Sequence, residues 1–168
     1  LARLCEIVTG PDFPTGGIIM GRRGIHQAYS TGRGRVVVRS RSHVEDIRSK
    51  QQLVFTEIPY QVRKSTIIEK IVDVVRDGRI AGISDLRDES DRDGIRLVVE
   101  LKKGEDPQVI LNQLFQYTPL QATISIINLA IAKGRPRTLD LRALVDAYIE
   151  HRKDVIRRRT KYLLRKAE

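Results

Sequence analysis

The chain has 168 residues, with 31 Lys and Arg against 21 Asp and Glu, a net charge of +10. The length excludes a multidomain enzyme, and the charge favours a polyanionic partner, with nucleic acid as the leading candidate. The single cysteine, Cys5, excludes an intrachain disulfide, and no apolar stretch approaches the roughly 18 residues that span a bilayer.

We therefore expect a soluble, cytoplasmic protein with no membrane partner. Its charge is uneven along the chain. Residues 22–41 contain six arginines and no acid, and residues 151–168 contain eight Lys or Arg against two acids. Residues 51–100 nearly balance, with eight basic and ten acidic side chains. Two basic segments thus flank a near-neutral middle.

The first elements are short. Residues 10–24 are rich in Pro and Gly and predict a loop, a brief strand and a turn. Residues 25–30 predict a short helix closed by Gly32. The sequence RVVVRSRS at 35–42 alternates as a strand does, with two valines on one side and a basic face on the other. The residues of that face are Arg35, Val37, Arg39 and Arg41.

A second strand is expected at 51–58, where Pro59 stops it, and the polar residues 43–50 are interpreted as a hairpin loop joining an antiparallel pair. Ser65 is the expected N-cap of a helix that ends at Gly78. An apolar stripe at helical spacing supports that helix. The stripe consists of Ile67, Ile68, Ile71, Val72 and Val75.

The second half of the chain adds an acidic connection at 83–94, a third strand at 95–102 and a helix that begins at Pro107. Residues 122–141 predict two strands around a Lys-Gly-Arg-Pro turn. From Asp140 onward apolar residues recur every seven positions, which predicts one long coiled-coil-like helix. The fold class is therefore α+β, a mixed and mainly antiparallel sheet packed with helices, with domain boundaries at 1–139 and 140–168.

The acidic stretch from Glu89 to Glu100 nearly has the spacing of a calcium-binding loop. Its first ligand position holds Glu, however, and a strand rather than a helix follows Gly94. A solvated or arginine-paired turn is the better interpretation, and we expect no metal site. No phosphate-binding loop ending in Gly-Lys-Ser or Gly-Lys-Thr is present, and the three histidines lie apart with no nucleophile beside them.

The arginine-rich segment is the strongest functional signal. Guanidinium groups pair with phosphate oxygens in a geometry that lysine cannot reproduce, and glycines at 32 and 34 allow close approach. Lys64 lies near a helix N-terminus, where a phosphate could also bind. An ordinary solvated face is the other interpretation of these charges. The candidate DNA-binding residues are Arg22, Arg23, Arg33, Arg35, Arg39, Arg41 and Lys64.

Six blocks follow one another along the chain: GPDFPTGG, GRRGI, YSTGRGRVVVR, EIPYQV, RDESDRDGIRLVVELK and HRKDVIRRRTKYLLRKA. In this order they resemble the A subunits of bacterial type IIA DNA topoisomerases, and the resemblance covers the whole chain. DNA gyrase is the nearer relative and topoisomerase IV the close alternative, because the Gly16–Gly17 pair and the GRRGI block look more like gyrase. We expect the chain, which starts at Leu1 and ends in RKAE, to be part of a longer protein.

The resemblance implies the tower domain and the start of the long coiled-coil helix, which support the bent gate-DNA arms and link the cleavage core to the exit gate. It implies no catalytic residue here, because the family's nucleophilic tyrosine follows an arginine and none of the five tyrosines does. Isolated, the segment should be inactive. No cofactor is expected on it, since the family's Mg²⁺ and ATP belong to the B subunit.

The partners that the resemblance implies are double-stranded DNA, the B subunit of an A2B2 complex and a second A subunit. Two other functions stay open on the residues alone. One is a basic RNA-binding module, which would need aromatic platforms on a sheet, yet only eight Phe and Tyr occur and none lies in RVVVRSRS. The other is a purely structural spacer whose charge is incidental.

Overall fold

The computed structural model describes residues 1–47 and 50–167. Five helices and nine strands are described in that range. The helices are α1 (Ala2–Ile7), α2 (Arg23–Thr31), α3 (Lys64–Arg76), α4 (Pro107–Tyr117) and α5 (Leu141–Ala167). The strands are β1 (Ile18–Met20), β2 (Arg33–Arg39), β3 (Arg41–Ile47), β4 (Lys50–Glu57), β5 (Ile83–Asp88), β6 (Leu97–Leu101), β7 (Gln121–Ile127), β8 (Leu129–Ala132) and β9 (Arg135–Thr138).

The chain divides into two compact units. Unit one comprises residues 1–11, 22–36 and 125–168, and unit two comprises residues 12–21 and 37–124. The predicted α+β class is confirmed, because both helices and antiparallel strands occur and a 27-residue helix, α5, follows the last strand. The proposed boundary at residue 139 stays a prediction.

Unit two is built on a four-stranded sheet in the order β3-β4-β6-β5, in which every neighbouring pair is antiparallel. Helices α3 and α4 cover it with apolar side chains. Leu53, Phe55, Ile71, Leu97 and Leu114 are almost completely buried in this core. Asp106 caps α4 by accepting a hydrogen bond from the Gln108 N–H at 2.8 Å, and Pro107 occupies the first turn as expected.

Unit one contains α1, α2, the β8–β9 hairpin and α5. Helix α2 ends where Gly32 adopts φ of 76°, a left-handed conformation that suits glycine, so the predicted closure is confirmed. Helix α1 was not expected from the sequence. Cys5 lies in this helix and is half-buried. No helix in the described ranges is both long and apolar enough to cross a membrane.

Two predictions about strands are wrong for one physical reason. Residues 43–47, expected in a loop, belong to β3, and residues 83–88, expected in an acidic connection, form β5. Both strands are edges of the unit-two sheet, so most of their side chains are solvated and their polar composition resembles that of a loop. Arg48 and Ser49, also in the predicted loop, lie outside the described residues.

The strand predicted at 35–42 is interrupted at Ser40, so Arg41 belongs to β3 rather than to β2. The Ser40 N–H donates to the Leu120 carbonyl at 2.8 Å, which ends the first strand there. As a result β4 pairs with β3 and not with the arginine-rich strand. The region 122–141 likewise holds three strands instead of two, with Lys133 and Gly134 in the hairpin turn.

The expected N-cap at Ser65 is also wrong. Helix α3 begins one residue earlier, at Lys64, and Arg63 occupies the cap position without a side-chain hydrogen bond. The helix phase then buries Val74, which the predicted stripe omitted, and leaves Val72 half exposed at 50%. Ile67 and Ile71 are buried as predicted, so the apolar face is shifted at one edge, where it includes Val74 and excludes Val72.

Candidate nucleic-acid interface

The positive charge is concentrated in unit one. That unit contains 17 Lys and Arg and six Asp and Glu, a net charge of +11. Unit two contains 14 basic and 15 acidic residues, a net charge of −1. A polyanion is therefore attracted mainly to unit one, which holds four of the seven candidate residues, Arg22, Arg23, Arg33 and Arg35.

Arg22 and Arg23 lie at the start of α2. Arg22 is the N-cap residue, makes no side-chain capping bond and is exposed, as is Arg23. The free N–H groups of a first helical turn and the helix dipole both favour an anion at this position. Two guanidinium groups thus stand beside a helix terminus that itself attracts phosphate.

Arg33 and Arg35 lie on β2, where side chains alternate between exposed and buried as the sequence predicted. The residue between them, Gly34, faces α2. A Cβ atom on Gly34 would lie 2.7 Å from the backbone nitrogen of Ala28, so the helix rests directly on the strand. With one side of β2 closed in this way, both arginines are directed to solvent.

An open groove of about 510 Å³ runs beside these arginines. Gln27 and the segments 33–35 and 125–127 line it. None of these lining residues carries a carboxylate, and within the described ranges no Asp or Glu lies within 4.0 Å of the four candidate arginines named above. The groove therefore offers uncompensated positive charge and the amide donors of Gln27.

Arg39, in unit two, has partners of its own. Its Nε donates a hydrogen bond to Gln121 Oε1 at 2.6 Å, and its guanidinium carbon lies 4.8 Å from the centroid of the Phe115 ring. The side chain is half-buried. A cation–π contact and a hydrogen bond together hold this arginine against the core of unit two.

Arg41 and Lys64 each face a carboxylate. Arg41 Nε lies 2.9 Å from Glu57 Oε1, and the other oxygen of Glu57 accepts the Gly17 N–H at 2.5 Å. Lys64 Nζ lies 3.0 Å from Asp88 Oδ2. Hydrogen bonds from Ser90, and then the Lys64 ammonium, lower the pKa of Asp88. Contact of these two residues with DNA stays a prediction.

The acidic stretch is paired with arginine, which confirms the interpretation preferred from the sequence. Glu89 accepts from Arg87 at 3.2 Å and from Arg96 at 3.1 Å. Asp91 Oδ1 accepts the N–H of Asp93 at 2.8 Å, a bond that closes a local turn. In the described part of the chain, no three His, Cys, Asp or Glu side chains converge as a metal site would require.

The sequence-based candidates omitted one cluster, the three cations of the β8–β9 hairpin. Lys133, Arg135 and Arg137 are exposed in unit one. Their signal in the sequence is KGRPR within a stretch, residues 107–139, that contains no acid. From the sequence this segment predicts only a turn. Strand pairing and exposure, which the sequence does not show, decide whether its cations can bind a ligand.

Comparison of the sequence with known proteins identifies its family. The whole chain, residues 1–168, matches the family model for the A subunit of DNA gyrase and topoisomerase IV. It is 50% identical over 167 residues to the DNA gyrase A subunit of Chlamydia pneumoniae, covering 98% of this chain and 20% of the relative. The corresponding protein of Clostridium acetobutylicum is 53% identical over 168 residues, covering 99% of this chain and 20% of the relative.

The DNA gyrase A subunit of Pseudomonas aeruginosa is 48% identical over 167 residues, which cover 98% of this chain and 18% of the relative. The chain thus spans about a fifth of the length of the curated relatives that it matches. A match that extends over every residue, with half of the positions identical, decides the assignment. The chain belongs to the A-subunit family of DNA gyrase and topoisomerase IV.

Proposed function

We propose that this chain is the segment of a DNA gyrase A subunit that supports the arms of the bent gate DNA through phosphate contacts. The observation that carries the proposal is the net charge of +11 on unit one, with exposed and carboxylate-free arginines on β2. Relatives that share half of its residues are named as A subunits of DNA gyrase, which favours gyrase over topoisomerase IV.

Phosphate contacts suit a bent duplex for an energetic reason. Bending a site of 20 to 30 base pairs costs on the order of 1 to 6 kcal/mol, which added contacts along the arms must offset. Arg33 and Arg35 project from a strand that α2 braces from behind, so their guanidinium groups start from a fixed backbone. Such contacts position DNA without reading its sequence.

Helix α5 supports the second part of the proposal, a link to the exit gate and to a second A subunit. Its apolar side chains recur at heptad spacing and are exposed within unit one, with Tyr148 at 66% and Ile156 at 51%. A seam of this kind is typical of a helix that pairs with another helix. We assign that partner to the same subunit family.

The remaining chemistry is assigned outside this segment. We propose that DNA cleavage, Mg²⁺ and ATP belong to the rest of an A2B2 enzyme, with ATP and metal on the B subunit, and that the segment alone is inactive. The absence of an Arg-Tyr pair and of a phosphate-binding loop in the sequence supports this division. The enzyme would act on chromosomal DNA in the cytoplasm.

The test substitutes Arg33→Gln and Arg35→Gln in the full-length enzyme and measures duplex DNA binding between about 50 and 200 mM salt. The slope of log affinity against log salt should flatten by about 0.9 for each phosphate that the variant no longer binds. Supercoiling activity should fall with it, because the gate DNA is bent less readily.

The matched control substitutes Arg92→Gln and Lys103→Gln, two exposed cations of unit two, and so removes the same charge. Its salt slope should equal that of the wild type. An unchanged slope in the unit-one variant, or an equal change in both variants, would sink the proposal. Stronger competition by duplex RNA than by duplex DNA would favour an RNA-binding module instead.

A structural role is the second candidate, and one observation favours it for unit two. Arg39, Arg41 and Lys64 are each held by a partner within that unit, so their charge is partly used in folding. Substituting Arg39 should then lower stability without changing the salt slope. The two roles are compatible if unit one contacts DNA and unit two acts as the spacer.

A further inference from the structure

The β8–β9 hairpin of unit one carries three exposed cations. Its turn consists of Lys133 and Gly134, which both have positive φ, 53° and 74°. Two such residues are the pattern of a type I′ turn, which matches the twist of paired strands. Asn, Asp or Gly usually occupies the first position, so Lys133 has a backbone conformation that is uncommon for its residue type. Its ammonium group is thereby presented at the tip.

The strand register places two arginines on one face of the hairpin. Ala132 lies opposite Arg135, and Ala130 lies opposite Arg137. Directly opposed residues share a face of a sheet, so each guanidinium has only a methyl group across from it. An alanine neither covers the guanidinium nor accepts a hydrogen bond from it. The N–H donors of each arginine thus have no acceptor side chain directly across the ladder.

The cations of the hairpin have carboxylates nearby but form no ion pair among the described residues. Arg137 shares a groove of about 340 Å³ with Asp146 and Glu150 of α5, but Asp146 pairs with Arg142 at 3.8 Å instead. Among the described residues no carboxylate lies within 4.0 Å of any of the three hairpin cations. Repulsion among three like charges this close in sequence is relieved by a polyanion.

The edge of β9 argues against a protein strand as the partner. Pro136 lies in the middle of this edge strand and has no N–H to donate. A strand added to that edge would lose a ladder hydrogen bond, which is how natural edges resist pairing. A phosphate backbone needs no such ladder, since it accepts from the side chains.

We propose that Lys133, Arg135 and Arg137 form a second phosphate-binding element that grips the backbone of duplex DNA. The element is additional to the arginines of α2 and β2, and the identity of its polyanion rests on the function proposed above. A two-stranded ribbon is narrow enough to follow a duplex groove, and its cations would release condensed counterions on binding.

The experiment uses the full-length enzyme with the triple substitution Lys133→Gln, Arg135→Gln and Arg137→Gln and a labelled duplex DNA. The slope of log affinity against log salt should fall by about 0.9 for each phosphate released, thus by up to about 2.7. The thermal unfolding midpoint should stay unchanged, because all three side chains are exposed. A charge-matched control carries Arg92→Gln, Lys102→Gln and Lys103→Gln in unit two.

A slope equal to that of the wild type, or equally reduced in the control, overturns the proposal. A second variant, Leu129→Ser/Ile131→Ser, changes two exposed positions on the opposite face of the hairpin. If this variant fails to assemble and the triple cation variant keeps the wild-type slope, the hairpin is a protein contact and the proposal is overturned. A reduced slope here with a normal slope for Arg33→Gln/Arg35→Gln supports the hairpin and rejects only the strand contacts proposed above.

Discussion

Glu45, on the edge strand β3, accepts hydrogen bonds from three neighbouring side chains on the surface of unit two. Its carboxylate accepts both terminal nitrogens of Arg96, at 3.0 and 2.7 Å, and further hydrogen bonds from His43 and Gln52 at 2.8 Å each. These hydrogen bonds, those from Arg96 above all, lower the pKa of Glu45 from 4.5 to about 2. The same pairing raises the pKa of Arg96.

A pH dependence of stability follows. Because the folded-state pKa lies below the unfolded value, the contribution of Glu45 is complete above pH 4.5 and is lost as pH falls toward 2. Glu45→Gln should lower the urea midpoint at pH 7, and the difference from the wild type should shrink between pH 4.5 and 2. Asp93→Asn, in the loop between β5 and β6, is the control. A difference that is constant with pH would contradict the assignment.

At the scale of elements, the contact of α2 with β2 decides which side of the strand is free. Gly24 of α2 lies so close to the strand that an added Cβ would stand 1.8 Å from the carbonyl oxygen of Arg35. Gly34 makes the reciprocal approach from the strand. Two glycines therefore allow backbone to rest on backbone, and the arginines beside Gly34 are displayed as a consequence.

Gly24→Ala tests this contact. Alanine favours a helix over glycine by about 1 kcal/mol, whereas overpacking against well-packed neighbours costs about 1 to 3 kcal/mol. Since the neighbour is a backbone oxygen that cannot rotate away, we expect the cost to win and the free energy of unfolding to fall by up to about 2 kcal/mol. Urea unfolding measures it. Gly94→Ala, with nothing within 4 Å, should change little, and a stabilised Gly24 variant would show the contact to be loose.

At the scale of the whole molecule, the two units differ in net charge, +11 against −1, more sharply than segments of the sequence do. The basic segments around residues 22–36 and 151–168 both fall in unit one, while nearly all the acids of the chain's middle fall in unit two. Unit two pairs many of its charges internally, as in the bridges Arg87–Asp85 and Lys50–Glu100. Fewer of its charges are therefore free to attract a polyanion, in line with the spacer role proposed for it.

Hydrogen exchange tests this division. Duplex DNA added to the full-length enzyme should slow amide exchange at residues 22–36 and 129–139 and leave the exposed, acidic residues 89–94 unchanged. Short labelling times select local contacts over global stabilisation. Protection confined to unit two would reverse the assignment of the two units, and equal protection everywhere would indicate binding without a localised interface.

Elements whose signals are local along the chain could be predicted from the sequence. The cap and proline of α4, the glycine that closes α2, the alternation of β2 and the heptad spacing of α5 depend on nearest neighbours along the chain. The six ordered blocks determined the family, since their identity does not depend on how they pack. The excess of cations is likewise a property of composition.

Which cations are free to bind a ligand depends on tertiary contacts. Whether Arg39 is held by Phe115 and Gln121, or Arg41 by Glu57, depends on residues between 16 and 82 positions away. The polar edge strands β3 and β5 were missed because a strand open on one side has the composition of a loop until its partner is known. The hairpin cations were missed for the converse reason: pairing with alanines across the ladder leaves them free, and register is not written in either strand alone.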